Sequence, residues 1–318
     1  MMSRNGSVSV IALVLLAAGL CWFNAAPAAA QSATATDDAA QWRQELSAWR
    51  AQRGQEISAP DGWLTLVGLE WLKPGFNSVG AAADNHIQLR GHAPDHLGLI
   101  TVSGKTVQLL SPSGGFPADL LVDGKPAREG PPTTGVAKSS TIGWRGMTIL
   151  VLERGDRYVL RVKDANAQAR TDFHGLNWYA PELRLRVTAK WIPFTPPHIE
   201  KIPTVIGTVL ELPAPGIAEF TLDGTTLQLE PVTEASEPGT LFFILRDTTS
   251  KTTTYQASRF LHTGLPDHGL SQPGLLTLDF NKLENPPCAY TPYATCPLPP
   301  DQNRLPVALE AGEQRYAH

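Results

Sequence analysis

After Pro60 the chain is made of short apolar runs separated by turn residues, and this pattern constrains the fold more than any other feature. The segments 97–110 and 147–164 each contain two alternating runs around a Ser-Gly or Gly-Asp turn, which is typical of β-hairpins. The 27 glycines and 27 prolines also favour turns and strands over helices. The sequence therefore predicts an all-β fold.

One N-terminal helix is the expected exception. Large side chains recur there at helical spacing: Trp42, Leu46, Trp49 and Arg53. This spacing places them on one face of a helix over 40–56 that packs on the body of the protein. The Ala, Thr and Asp residues of 31–40 offer little apolar surface to bury, so we expect a disordered leader there.

The division into domains follows from where the strand patterns stop and resume. A segment at 168–182 separates two sets of predicted strands. We expect an N-terminal β lobe at 59–168 and a C-terminal β lobe at 169–318. The leader and the N-terminal helix occupy 31–58.

Residues 1–30 have the layout of a secretory signal peptide. Arg4 precedes an apolar run at 8–23, and small residues follow up to Ala30, as in an A-x-A cleavage site. The run is short for a membrane span. We expect cleavage after Ala30, no membrane span after cleavage, and a periplasmic or secreted protein. Lipidation at Cys21 is disfavoured, because a leucine precedes it where a lipobox needs a small residue.

Composition and motifs narrow the functional classes. The net charge is −4 with no basic block, which argues against a nucleic-acid partner. The chain lacks a G-x-S-x-G nucleophile elbow, H-E-x-x-H, a P-loop and C-x-x-C, so nothing predicts a cofactor or a common type of hydrolase. The sequence does not indicate the oligomeric state.

A histidine-rich segment is the first place to look for a metal. His86, His92 and His96 lie beside two aspartates within 84–96, and imidazoles with carboxylates can bind zinc or copper. Pro94 separates the last two histidines, so they do not share a helical face. We interpret the segment as a polar loop and predict no metal site.

The segment 285–304, NPPCAYTPYATCPLPPDQNR, is too rich in proline for a helix or a central strand. Cys288 and Cys296 are the only cysteines left after signal cleavage. In an oxidising compartment such a pair predicts a disulfide, worth about 2–3 kcal/mol for so short a loop. Metal or redox chemistry is the alternative, but two thiolates alone do not complete a metal site.

Polar residues concentrate around this segment. The candidate ligand-binding residues are Tyr255, Arg259, Asp279, Asn281, Asn285, Asn303, Arg304 and Glu313. Arginine with carboxylates and amides suits a small or anionic ligand held in the C-terminal lobe. Asp279 and Glu313 with Arg259 would also suit a hydrolase. A third hypothesis is a structural or scaffold protein, in which these groups only satisfy the backbone of the Pro-rich segment.

The region from "DTTSKTTTYQASRFL" at 247–261 to "LEAGE" at 309–313 closely resembles DUF1684, a bacterial and archaeal family of uncharacterised proteins. "GWLTLVGLEWLKPGFNSVG" at 62–80 is similar to the opening of that family. The resemblance runs from about 42 to 313 and implies no assigned activity.

Part of the N-terminal lobe of that family is similar to a forkhead-associated β-sandwich, and "GFNSVGAAADNHIQL" at 75–89 has its rhythm of glycine, turn and strand. Ala81 stands where phosphopeptide readers of that fold carry arginine. The resemblance therefore implies a sandwich architecture and no binding residues.

Overall fold

The computed structural model describes residues 28–132 and 139–317. The predicted signal peptide at 1–30 lies almost wholly outside them. Strands dominate the described residues and one long helix precedes them, so the all-β prediction is confirmed. Trp42–His318 forms one compact unit, and the described part of Met1–Gln41 is helical. No helix among the described residues is long and apolar enough to cross a membrane.

Helix α1 spans Ala28–Ser58. The predicted amphipathic face is confirmed, because Trp42 and Leu46 are buried and Trp49 and Arg53 are partly buried. The disorder predicted for 31–40 is wrong, since this segment is helical. Alanine has the highest helix propensity, and extending a helix that is already nucleated costs little.

Two sheets lie in the N-terminal half. The first is antiparallel, with the spatial order β1 (Leu66–Trp71), β10 (Arg157–Asp164), β9 (Met147–Arg154), β8 (Thr141–Trp144), β6 (Leu121–Val122), β7 (Lys125–Pro126). The second has the order β3 (Ile87–Gln88), β2 (Gly75–Gly80), β4 (Gly98–Ser103), β5 (Thr106–Leu110). Buried residues of both sheets, such as Val79, Ile100, Ile149 and Leu160, form one core. The two sheets therefore pack as a β-sandwich. The likeness to a forkhead-associated domain stays a prediction.

Two further sheets follow the short helix α2 (Gln168–Thr171). The third sheet has the order β13 (Thr225–Leu229), β12 (Val209–Leu222), β11 (Arg186–Pro203), β16 (Gly274–Asp279). The fourth pairs β14 (Leu241–Leu245) with β15 (Arg259–Thr263). Trp191, Phe243 and Phe280 are fully buried in the core of this half.

Each sheet, as far as the structure describes the chain, draws its strands from one side of the segment 165–185. This arrangement agrees with the two sets of strands predicted from the sequence. The lobe boundary at 168/169 falls inside α2 and stays a prediction.

The C-terminal arm, residues 280–317, contains short 3₁₀ turns in place of strands. Its prolines remove backbone donors, so it has no ladder of its own. A disulfide joins Cys288 and Cys296, as predicted. Ala294 and Cys296 pack in a core cluster with Leu66 of β1 and Phe260 of β15. The arm therefore packs against both the first and the fourth sheet.

Candidate functional site

The predicted site residue Arg259 is fully buried. Its Nη1 lies 2.9 Å from Oδ2 of Asp247 and donates to the carbonyl of Leu309 at 2.9 Å, and Nη2 donates to the carbonyl of Ala311. Asp247 also accepts a hydrogen bond from the backbone N–H of Leu309. The pair fastens the C-terminal arm to β15 and has no access to solvent.

Asp279 and Asn281 form a second, separate network. Asp279 accepts hydrogen bonds from the indole N–H of Trp42 at 2.8 Å and from the side-chain amide of Asn281 at 2.9 Å. Asn281 bonds both backbone groups of Glu182, each at 2.9 Å. These contacts join α1 to the start of the C-terminal arm.

Three other predicted residues have separate side-chain partners. The side chain of Asn303 bonds both backbone groups of Glu230 at 2.8 Å. The hydroxyl of Tyr255 donates to the carbonyl of Cys288 at 3.1 Å. Arg304 is 53% exposed beside Asp301.

The last two predicted residues, Asn285 and Glu313, do come together. Glu313 is fully buried and accepts hydrogen bonds from Arg53 Nε at 3.0 Å, the backbone N–H of Asn285 at 2.8 Å and the hydroxyl of Tyr290 at 2.5 Å. Arg53 also donates to the carbonyl of Asn285 at 2.9 Å. A residue of α1 thus completes this cluster.

The predicted residues therefore belong to several networks. Among the described residues, Arg259, Asp279 and Glu313 each have their own partners, and no hydrogen bond or ion pair joins any two of them. Because a general acid and base must reach the same substrate, the hydrolase built on these three residues stays a prediction without a shared contact to support it.

A cavity of about 790 Å³ lies beside these networks. We name it the inter-sheet cavity, because its walls come from α1, the β9–β10 hairpin, β12, β14, β15 and the C-terminal arm. Aromatic side chains of Trp63, Phe242 and Phe260 line it together with Cys296 and Pro297. Charged groups lie on the same walls and fall into an acidic and a basic set.

The acidic set consists of Glu234, Glu237 and Glu284, and His262 and Arg53 lie on the same walls. The exposed Glu153 is a further carboxylate of the lining. His262 Nδ1 lies 3.2 Å from Glu237 Oε2, and its Nε2 lies 3.9 Å from Glu284 Oε1. Arg53 Nε lies 3.3 Å from Glu284 Oε2. The His262 ring stacks on Phe242 with 4.5 Å between centroids, which fixes its orientation.

Local structure explains how these side chains reach the cavity. Successive side chains of a strand point to opposite faces, so Phe260 and His262 line the cavity while Arg259 and Leu261 are buried in the core. Glu284 exchanges two backbone hydrogen bonds of 2.9 Å with Phe260. This pairing places the Glu284 carboxyl next to His262.

Burial shifts the titration of this set. It raises the pKa of Glu284 from 4.5 to about 7, and the charge of Glu313 adds to the rise while Arg53 opposes it. Burial lowers the pKa of His262, against the attraction of Glu237. A carboxyl that titrates near neutral pH can both donate and accept a proton, as general acid–base catalysis requires.

The basic set consists of Arg154 and Arg161 on β9 and β10. Both are half-buried, and burial lowers the pKa of both, that of Arg161 to about 10. The charge of Arg154 lowers the pKa of Arg161 further, so the two guanidinium groups repel each other. In the part of the chain that the structure describes, no carboxylate pairs with either arginine. Arg161 Nε is buried without a hydrogen-bond partner.

The charged residues of this cavity were not among the predicted site residues. For His262 the signal was the alternation of side chains along the strand. His262 lies three residues after Arg259, and residues at odd separations in a strand face opposite sides of the sheet. The hairpin at 147–164 was predicted, but nothing in its pattern shows which wall Arg154 and Arg161 line. Arg53 was predicted only as part of a helical face.

Comparisons with known proteins agree with the resemblance drawn from the sequence. The family model described as "Protein of unknown function (DUF1684)" matches residues 171–314. The chain belongs to this family. An uncharacterized protein of Haloarcula marismortui with a solution NMR structure is 33% identical; the match covers 46% of this chain and 78% of that one, with a TM-score of 0.39. No curated protein matches the chain.

Proposed function

We propose that the protein binds a small organic anion in the inter-sheet cavity. The observation that carries the proposal is the pair Arg154 and Arg161, half-buried on the cavity wall with no carboxylate partner among the described residues. Burying an unpaired charge is costly. A bound carboxylate or phosphate would relieve both this cost and the repulsion between the two groups, and the planar guanidinium matches such anions in two-point hydrogen bonds.

The rest of the cavity defines the remainder of the ligand. A volume of about 790 Å³ is within the range of small-molecule sites. The walls formed by Trp63, Phe242 and Phe260 favour an apolar or aromatic body next to the anionic group. The sequence-based expectation placed the ligand in the C-terminal lobe, whereas this cavity also uses the β9–β10 hairpin.

Binding can be tested with phenyl phosphate and phenylacetate as probes. We expect either probe to raise the melting temperature of the protein, because a ligand that binds only the folded state stabilises it. The shift should disappear in Arg161→Met. Arg157→Met is the matched control. Arg157 is an exposed arginine of the same hairpin that packs on Trp71, as Arg161 packs on Trp63, but it does not line the cavity. An equal shift in Arg161→Met, or no shift in the wild type at millimolar probe, would contradict anion binding.

A second candidate function is hydrolysis, and the position of Glu284 beside His262 favours it. In this scheme Glu284 accepts a proton from water as the water oxygen bonds to the carbonyl carbon of an ester. The bond from that carbon to the alcohol oxygen then breaks, and Glu284 returns the proton to the leaving alcohol beside His262, whose pKa burial lowers. Arg154 and Arg161 would hold the anionic part of the substrate.

Turnover separates the two functions. With the monoanionic ester 4-nitrophenyl succinate, Glu284→Gln should lower kcat by about 10²–10⁴, the usual contribution of a general acid or base. Glu153→Gln should leave kcat unchanged, because Glu153 is an exposed carboxylate at the cavity rim. Binding without turnover supports a binding protein. If neither occurs, the structural hypothesis for the polar networks gains support.

Export is part of the proposal and rests on the signal-like sequence at 1–30 and on the disulfide. Mass spectrometry of the protein from its source cell should give a mature chain beginning at Gln31. A chain that still carries Met1 would contradict export.

A further inference from the structure

Three potential metal ligands converge on the third sheet. His198 and Glu200 are alternate residues of β11, so their side chains point to the same face. Glu230 directly follows β13. His198 Nε2 lies 2.9 Å from Glu230 Oε1 and 3.3 Å from Glu200 Oε2. One ligand atom of each residue lies within 4.8 Å of the other two.

The carboxylate of Glu230 is the unusual member of this group. Its side chain is only 10% exposed, and its buried Oε1 accepts no hydrogen bond. His198 Nε2 is close to it, but its hydrogen-bond geometry is with Glu200. Two carboxylates that lie against one imidazole, one of them nine-tenths buried, carry a repulsion and a desolvation cost that a cation would relieve.

The surroundings hold the three side chains in place. Asn303 bonds both backbone groups of Glu230 at 2.8 Å. The ring of Phe194 packs against His198 with 4.8 Å between centroids. A metal site needs ligands with a fixed orientation, because the outer partners that orient the ligands contribute strongly to metal affinity.

We propose that His198, Glu200 and Glu230 bind a divalent transition-metal ion, with Zn²⁺ as the best match. One imidazole nitrogen and two carboxylates supply three protein ligands and leave a position for water. Ca²⁺ prefers six to eight oxygen ligands, and Mg²⁺ prefers an octahedron of oxygens, so neither suits the imidazole. The site is independent of the proposed anion-binding function.

Isothermal titration of the untagged full chain with ZnCl₂ tests the site. We expect one Zn²⁺ per chain and a loss of affinity of more than about tenfold in His198→Ala and in Glu230→Gln, since even outer-shell partners contribute about 10–100-fold. His268→Ala is the matched control, because His268 is an exposed histidine beside Asp267. It should bind Zn²⁺ like the wild type, as should Arg161→Met. CaCl₂ should give no comparable binding.

Unchanged Zn²⁺ affinity in His198→Ala, or no stoichiometric binding by the wild type, overturns the proposal and leaves a purely ionic cluster. Glu230 is buried, so its variant could misfold. Two further measurements test the site in that case. One is the Zn²⁺ affinity of Glu200→Gln, whose position is more exposed, and the other is the visible spectrum of bound Co²⁺. Intense d–d bands that disappear in His198→Ala and weaken in Glu200→Gln support the site, and their absence from the wild type excludes it.

Discussion

Two arginines place a guanidinium group inside the protein, but they differ in their partners. Arg259 belongs to the network that holds the C-terminal arm, and Arg161 lies in the inter-sheet cavity. Arg259 is fully buried, yet apart from Nε it is surrounded by acceptors, the Asp247 carboxylate and two backbone carbonyls. Arg161 is half-buried and has no carboxylate partner among the described residues. The fold supplies a carboxylate partner for the first guanidinium and none, among the described residues, for the second.

This difference teaches that an ionic residue is assigned to structure or to binding by its partners, and not by its type. A buried charge whose acceptors all come from the fold has nothing left for a ligand. Arg259 is of this kind, and the neutral side-chain amides of Asn281 and Asn303 likewise find their partners within the fold. Arg154 and Arg161 are of the other kind.

The largest effect in this comparison is expected for Arg259→Ala. It should lower the free energy of unfolding by about 3–5 kcal/mol, because it leaves Asp247 buried without its cation. Urea denaturation measures the loss. Arg304→Ala, at a 53% exposed arginine of the same arm, should change stability by no more than about 0.5 kcal/mol. Equal losses in the two variants would remove the distinction.

The titration of Glu284 in the inter-sheet cavity should make the free energy of unfolding depend on pH. Glu284 has a pKa of about 7 in the folded protein, whereas the ordinary pKa of a glutamate side chain is 4.5. The folded state therefore binds more protons between these values, and the contribution of Glu284 to stability is lost as the pH rises from about 4.5 to about 7. Each pKa unit is worth about 1.4 kcal/mol, so the total is about 3 kcal/mol.

Glu284→Gln should flatten this profile and make the variant more stable than the wild type above pH 7. Unfolding in urea at several pH values measures the difference between the two proteins. Parallel profiles would show that Glu284 titrates normally, and they would weaken the hydrolase candidate with it.

The disulfide lies where the arm and the cavity meet. Replacing both Cys288 and Cys296 by serine should cost about 2–3 kcal/mol, because the unfolded chain loses a short closed loop. Urea denaturation of the double variant, compared with wild type in which the Cys288–Cys296 bond is intact, measures the cost. Alkylation of both thiols in unreduced protein would show that the bond does not form.

The smallest effect is expected for Arg161→Met. It should change the free energy of unfolding by no more than about 0.5 kcal/mol, since no ion pair is lost and a partly desolvated charge is removed. The same urea experiment measures it. A loss as large as that of Arg259→Ala would mean that Arg161 belongs to the structure after all.

Local patterns predicted much of the fold. The hairpin at 147–164 and the buried face of α1 follow from periodicity, and the Cys288–Cys296 bond from compartment and spacing. The cavity could not be predicted in this way. Arg53, Arg161 and Glu284 come from distant segments, and their meeting depends on tertiary packing that no short-range pattern encodes.

Arg53 gives helix α1 a direct influence on the inter-sheet cavity. It lies between Glu284 on the cavity wall and Glu313 inside the arm, and its charge opposes the rise in the pKa of Glu284. Removing the helix by proteolysis beyond this residue would take away the cation that opposes the rise in the pKa of Glu284, so that Glu284 would hold its proton to a higher pH. Cutting the chain at this point would thus affect the protonation of Glu284 in the same direction as lowering the pH.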